Sequence, residues 1–300
     1  MLIKTPGIVS VDHVIWQPEF KCVSNCKGCY LKNSKVTQGI TLHTDIIDLI
    51  FQQHTVTCSQ FTISLDSFYR KPEQLVKTLK DLWSFYETKN PSINLCLTVQ
   101  NYASLLKWTQ AFNMQTLEFL KPVTILSLSS MPNTKSLCQN VLATCRKTNT
   151  ILNYNKVIFS DVSNDKHFHI GCHYADQVYI VLHKKALGGI NSKSMINLWA
   201  IAAKIAIRET KGQVIFDQCV LDSMYYKDSK CSAGIRKVAV WPDNTVSGCP
   251  YDTEHIVHPN QDKNLFKNLD KIVNTSHCHP MKFCTIPSIV RGFKHGRTTK

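Results

Sequence analysis

Hydrophobic and polar positions alternate along this chain in two periods that take turns. Val11 to Phe20 reads as a first strand. Thr41 to Gln53 puts Ile46, Ile47, Leu49, Ile50 and Phe51 on one broad face and predicts a helix, with Thr41 or Thr44 as its N-cap. Gln60 to Leu65 alternates as a strand, and Lys71 to Glu87 follows as a helix opened by Pro72 and carrying Leu75, Leu79, Leu82 and Trp83. A strand is expected over Ile93 to Val99, a helix over Tyr102 to Phe112, a strand over Val123 to Leu128 and a helix over Lys135 to Thr148. Strands at Val157 to Ser160 and Val178 to His183 precede a long helix, Ser194 to Thr210. Strands alternating with helices in this way argue for an α/β fold of repeated βα units around a parallel sheet. Six such units, counting the first strand, are fewer than a closed eight-unit barrel requires.

The last third reads differently. Val214 to Cys219 leads into an irregular stretch ending at Cys231-Ser-Ala-Gly234. Arg236 to Trp241 and Thr245 to Ser247 then alternate on either side of Pro242-Asp243-Asn244, which predicts a small β-hairpin. That hairpin would return Cys249 to the neighbourhood of Cys231.

Composition narrows the class. Of 300 residues, 43% are hydrophobic and 19% charged, as in a globular protein with a substantial core. Met1 to Ser10 has no continuous apolar stretch, and no apolar run approaches the ~18 residues of a membrane span. The expectation is a cytoplasmic protein without signal peptide or membrane segment. The 13 cysteines are then metal ligands, small core residues or redox groups rather than disulfides. Cys58, Cys96, Cys138, Cys145 and Cys172 lie singly in apolar surroundings and read as core. A net charge of +14 favours an anionic partner such as nucleic acid, a nucleotide or an acidic peptide, against the plainer reading of a solvated basic surface.

The most specific chemistry lies in Cys22-Val-Ser-Asn-Cys26-Lys-Gly-Cys29-Tyr30, directly after the first strand. Two or three intervening residues let three thiolates converge on one soft metal centre. Three ligands leave one position of a four-coordinate site open. A zinc knuckle borrowing a fourth ligand such as His13 is the competing reading. A second candidate is His167-Phe-His169-Ile-Gly-Cys172-His173, which reads as a metal site, a substrate-orienting histidine or a loop around one buried thiol.

The spacing C-x3-C-x2-C, followed by an aromatic residue and placed after strand one, resembles the signature of the radical S-adenosylmethionine (radical SAM) enzymes. The resemblance implies a partial (β/α)6 TIM-like barrel. It also implies a 4Fe-4S cluster on Cys22, Cys26 and Cys29, with S-adenosyl-L-methionine (SAM) on the open iron, cleaved to a 5'-deoxyadenosyl radical. Thr98-Val-Gln-Asn101-Tyr102 resembles the family's strand-three segment, and Thr124-Ile-Leu-Ser127-Leu-Ser129 its strand-four pattern, with Ser129 in the aspartate's place. Leu65-Asp66-Ser67 stands where Gly-Gly-Glu-Pro is common, so Asp66 or Ser67 would receive the amino group of SAM. Gly28 stands where a large apolar residue is usual. Asp66, Ser67, Asn101, Ser127 and Ser129 are therefore the expected SAM-binding residues.

Cys231-Ser-Ala-Gly, the hairpin and Cys249 resemble the SPASM or shorter twitch domain of peptide-modifying members, with Asn244 replacing the turn glycine. This implies two units, a core over 1–212 and an auxiliary-cluster domain over 213–300. Cys219, Cys231 and Cys249, with Cys278 or Cys284, suffice for one auxiliary iron–sulfur cluster, and His277 and His279 are substitutes or tuning neighbours. A structural zinc site would use the same ligands. By the same resemblance, the substrate is a peptide or protein side chain and the electron donor is of the flavodoxin or ferredoxin kind. The charge keeps RNA or nucleotide modification as the second enzyme reading. A zinc-stabilised nucleic-acid-binding protein without catalysis is the reading from another class.

Overall fold

A computed structural model describes residues 10–17, 57–68, 72–89, 94–111, 113–182, 193–216, 237–241, 245–248 and 256–257. Seven strands run in chain order: β1 (Ser10–Trp16), β2 (Thr57–Ser64), β3 (Asn94–Asn101), β4 (Ile125–Ser130), β5 (Ile151–Ile158), β6 (Gln177–Leu182) and β7 (Gln213–Phe216). Each lies parallel to the one before it. A 3-10 turn, Leu65–Phe68, closes β2. The helices are α1 (Pro72–Lys89), α2 (Tyr102–Ala111), α3 (Thr116–Leu120), α4 (Lys135–Lys147), α5 (Lys166–Tyr174) and α6 (Lys193–Glu209). This is an α/β fold whose parallel sheet fits a partial TIM-like barrel.

The last third joins the same sheet. β8 (Lys237–Val240) pairs parallel with β1 on the side away from β2, His13 beside Lys237 and Trp16 beside Val240. β9 (Val246–Ser247) and β10 (Ile256–Val257) continue antiparallel, giving the order β10-β9-β8-β1-β2-β3-β4-β5-β6-β7. Trp241 Nε1 donates to Ser247 Oγ at 2.9 Å across the hairpin. The chain therefore enters β8 and leaves β9 at the same end. Three strands from the expected C-terminal unit, β8, β9 and β10, thus share one sheet with the first strand of the core, and a fourth, β7, pairs with β6.

The main apolar core lies between one face of the sheet and the helices. Val14, Trp16, Phe61, Ile63, Leu95, Leu97, Leu126, Leu152, Tyr154, Val178 and Ile180 occupy alternate positions, so all point to that face. Leu75 and Leu79 of α1, Leu105 of α2, Cys138, Val141 and Cys145 of α4, and Phe168 and Cys172 of α5 meet them. Trp199 of α6 is fully buried, stacks edge-on against Phe216 at 5.5 Å and donates its Nε1 proton to the Ile180 carbonyl at 3.3 Å. Helix α5 carries Gly171 where a Cβ would stand 2.2 Å from the Tyr154 ring, so only glycine lets the helix settle this close to β5.

Some expected boundaries move. The fifth strand spans Ile151–Ile158 rather than Val157 to Ser160. The histidine-rich segment is a helix, opened by Asp165, whose carboxylate accepts from the His167 and Phe168 amides. Helix α3 has no counterpart among the elements expected from the pattern. The helix expected over Thr41 to Gln53 lies outside the described residues, as do 18–20 of the first strand. No helix among the described residues is long and apolar enough to cross a membrane.

Candidate active site

The opposite, inner face of the sheet is polar. Alternation assigns it His13 and Ile15 from β1; Gln60, Thr62 and Ser64 from β2; and Asn94, Cys96, Thr98 and Gln100 from β3. It continues with Ile125, Ser127 and Ser129 from β4, Ile151, Asn153, Asn155 and Val157 from β5, and Gln177, Tyr179 and Val181 from β6. Lysine, arginine, aspartate and glutamate are absent from this face among the described residues of β1–β7. Parallel barrel strands, buried on both sides, ordinarily read as continuous apolar runs.

One row crosses this face in lateral register: Ser64, Thr98, Ser127, Asn153, Gln177 and Gln213 stand side by side from β2 to β7. Ser64 ends its strand, whereas Gln177 and Gln213 begin theirs. The row therefore descends from the carboxyl-terminal mouth on the β2 side to the amino-terminal floor at β6 and β7. A pocket of about 220 Å³ opens there, lined in part by Arg146, Asp176, Gln177 and Gln213.

Within this face, Asn153 Nδ2 donates to Ser127 Oγ at 2.8 Å, and both residues are buried. Asn153 Oδ1 and Asn155 Oδ1 are buried with no hydrogen-bond partner. Nearer β1, the His13 Nε2 and Thr62 Oγ1 atoms lie 2.7 Å apart, and Gln60 Nε2 donates to Thr62 Oγ1 at 3.1 Å. Burial pushes the Cys96 thiol up to about 12, against a weaker opposing hydrogen bond from Thr62, so it remains protonated.

The expected SAM-binding residues fall on two levels. Asp66, only 8% exposed, sits in the 3-10 turn at the end of β2, where its Oδ2 accepts from the Gln100 amide at 3.2 Å. Ser67 lies in the same turn, its side chain outside the described set. Asn101 ends β3, and its Oδ1 accepts from the Ser104 amide at 3.0 Å and hydroxyl at 3.2 Å, which caps the first turn of α2. Ser129 is exposed at the end of β4, two positions above buried Ser127. Cys22, Cys26, Cys29, Cys219, Cys231, Cys249, Cys278 and Cys284, with His277 and His279, lie outside the described residues.

Helix α5 distributes the remaining cluster over different sides. Cys172 is buried against the sheet, where desolvation, with Glu209 nearby, pushes its thiol up to about 12. His169 turns to α6: its Nδ1 pairs with Glu209 Oε2 at 2.6 Å and its Nε2 meets the Ser163 carbonyl at 2.8 Å. These two contacts, the Glu209 bond first, raise its pKa above the ordinary 6.5. His167 and His173 are exposed. No group of three or more His, Cys, Asp or Glu placed to hold a metal occurs among the described residues.

Asn153 and Asn155 have no place among the site residues expected from the sequence. The signal is nonetheless there: two asparagines at alternate positions of a run that is otherwise apolar save for Lys156.

No protein-family model matches the chain, and no curated protein matches it. Solved structures share its fold. A histidine-tagged form of anSMEcpe with bound AdoMet, a radical SAM enzyme, superposes with TM-score 0.56 at 12% identity, covering 89% of this chain and 83% of that one. A mutant tryptophan synthase α-subunit from the hyperthermophile Pyrococcus furiosus superposes less well, with TM-score 0.44 at 9% identity over 89% of this chain and 96% of its own. The second likeness is too loose to support a reading of this chain.

Proposed function

We propose that this chain is a radical SAM enzyme acting on a peptide or protein side chain. The observation that carries the reading is positional: Cys22, Cys26 and Cys29, at C-x3-C-x2-C spacing, follow the carboxyl-terminal end of β1 in an open parallel sheet. Barrel enzymes keep their chemistry at that mouth. The fold shared with anSMEcpe, whose structure holds AdoMet, supports the same reading.

The residues present suit the two groups this function needs. Three thiolates are the donor set for a 4Fe-4S cluster with one open iron. An Asp66 carboxylate at the end of β2, oriented by the Gln100 amide, is an acceptor suited to the ammonium of SAM. Ser67, Asn101, Ser127 and Ser129 would supply further hydrogen bonds along β2 to β4. When bound, the two groups would supply a 5'-deoxyadenosyl radical on one-electron reduction by a flavodoxin- or ferredoxin-like donor. The chain's own part is to orient SAM through Asp66, hold the substrate against the inner face and exclude water from it. Cys219, Cys231 and Cys249, with Cys278 or Cys284, would hold an auxiliary iron–sulfur cluster in a C-terminal unit, with zinc as the alternative occupant. The net charge of +14 favours a second reading, in which RNA is the substrate.

Anaerobic reconstitution should load iron and sulfide, with visible absorbance that bleaches on dithionite. Cys22→Ala, Cys26→Ala and Cys29→Ala should each abolish 5'-deoxyadenosine formation. Protein holding only stoichiometric zinc, with no SAM cleavage, would overturn the enzyme reading. Stimulation of deoxyadenosine output by RNA and not by peptide pools, with binding that collapses between roughly 50 and 200 mM salt, would overturn the peptide substrate.

A further inference from the structure

We infer that β5 holds the substrate: Asn153 and Asn155 accept hydrogen bonds from N–H groups of a neutral, amide-bearing segment that enters the inner face. The inference rests on the reading of this sheet as a catalytic barrel and deepens it by naming the recognising residues and the chemistry they take.

Two independent observations lead there. A buried amide oxygen without a partner forfeits the hydrogen bonds it had in water, so native proteins keep few of them. Here two stand at alternate positions of one strand, on the same face and one pleat apart. Asn153 is fixed in direction, because its Nδ2 is engaged by Ser127 Oγ and its Oδ1 is therefore turned away from β4. Two carbonyl oxygens separated by roughly 6 to 7 Å along a strand match the repeat of donors along an extended peptide. The second observation concerns charge. The chain carries a net +14, yet the described residues of β1–β7 put no lysine or arginine on the inner face. A phosphate would meet acceptors and hydroxyls from these strands, with no lysine or arginine among their described residues on this face to neutralise it. A neutral amide meets the partners it needs.

The arrangement also explains why the simpler solution is not used. Leucine at 155, or leucine at 153 together with alanine at 127, would fill the same space without leaving an unmet oxygen, and removing both partners of a buried polar contact is often neutral or stabilising. Retaining the unmet acceptors makes sense where a ligand completes them.

The test uses full-length protein, as isolated and after anaerobic reconstitution, with side-chain amide NMR signals of Asn153 and Asn155 assigned by single substitution. The probes are N-acetylalanine N'-methylamide and dimethyl phosphate. The amide probe should shift both signals and dimethyl phosphate neither. Asn155→Leu should weaken the amide probe by about tenfold, as expected for one neutral hydrogen bond, without lowering the melting temperature. Asn153→Leu combined with Ser127→Ala gives a second variant in which no new orphan is made, with the same expected loss of probe binding. Shifts caused by dimethyl phosphate would overturn the inference in favour of a nucleic-acid segment. Absence of any shift would overturn it in favour of water alone. A lowered melting temperature with unchanged probe affinity in Asn155→Leu would make these residues structural. Probe binding is read without turnover, so failure of SAM cleavage in the same preparation sinks the catalytic reading separately.

Discussion

The two faces of this sheet are made by the same strands and obey opposite rules. The outer face, packed under the helices, is mainly apolar, with Trp16 and Phe61 at 6.3 Å and Tyr154 and Phe168 at 6.4 Å between ring centroids. The inner face is rich in serine, threonine, asparagine and glutamine, two of whose buried oxygens are unmet. Burial energy scales with apolar area, so the outer face stabilises the fold and the inner face costs it. Positions that cost stability without gaining it are where function is to be sought.

Mutations on the two faces should separate accordingly. The largest effect is expected on the outer face, where Trp199→Ala removes a fully buried indole between β6 and β7. Chemical denaturation should show a loss of about 3 to 5 kcal/mol. Gly171→Ala attacks the same face by overpacking, because the added methyl meets the buried Tyr154 ring at 2.2 Å. The expected cost is about 1 to 3 kcal/mol, with α5 displaced from β5. On the inner face, Ser127→Ala strips the acceptor from Asn153 Nδ2 and should cost about 1 to 3 kcal/mol, whereas Ser127→Ala with Asn153→Leu should lie close to wild type. Equal losses in those two variants would erase the distinction between the faces.

The smallest effect lies outside both, at His169 and Glu209. A raised histidine pKa means the contact contributes fully below about pH 6.5 and is lost as pH rises through the folded value. Burial raises the Glu209 pKa, but the hydrogen bonds from Arg208 and His169 outweigh it and leave it lowered. That contribution is lost as pH falls through the folded Glu209 value. Melting temperature against pH should therefore fall on both sides of a window, and His169→Gln should flatten the alkaline side.

The same contrast decides what the sequence can reveal. Strands whose outward positions are Val, Ile, Leu and Phe stand out by alternation, as Gln60 to Leu65 and Val178 to His183 do. β5 escapes the pattern because Asn153 and Asn155 are residues that ordinarily mark turns. The feature that hides the strand is the one that makes its inner side a candidate recognition surface. Helix α5 is hidden by Gly171, a poor helix residue whose value emerges only when the Tyr154 ring lies beneath it. The hairpin of β8 and β9 is legible from its turn residues. Its pairing with β1 is not, because nothing local in Lys237 to Val240 names a partner so far away in the chain. The spacing of Cys22, Cys26 and Cys29 is visible in the sequence alone, whereas the orientation of Asp66 by the Gln100 amide needs the third dimension.

The pairing of β8 with β1 sets an order of events during synthesis. β1 leaves the ribosome before both strands it pairs with, and β2 is the first of them to follow. The other edge of β1 stays unpaired until residues 237–240 have been made. An open strand edge is a template for pairing with another chain, and contacts between distant residues close slowly. Between the emergence of β1 and that of β8 the nascent protein therefore presents an edge that residues made later must cover. Chains stopped before Lys237 should accumulate as aggregates, and a holding chaperone should engage this protein most strongly at the stage just before β8 emerges.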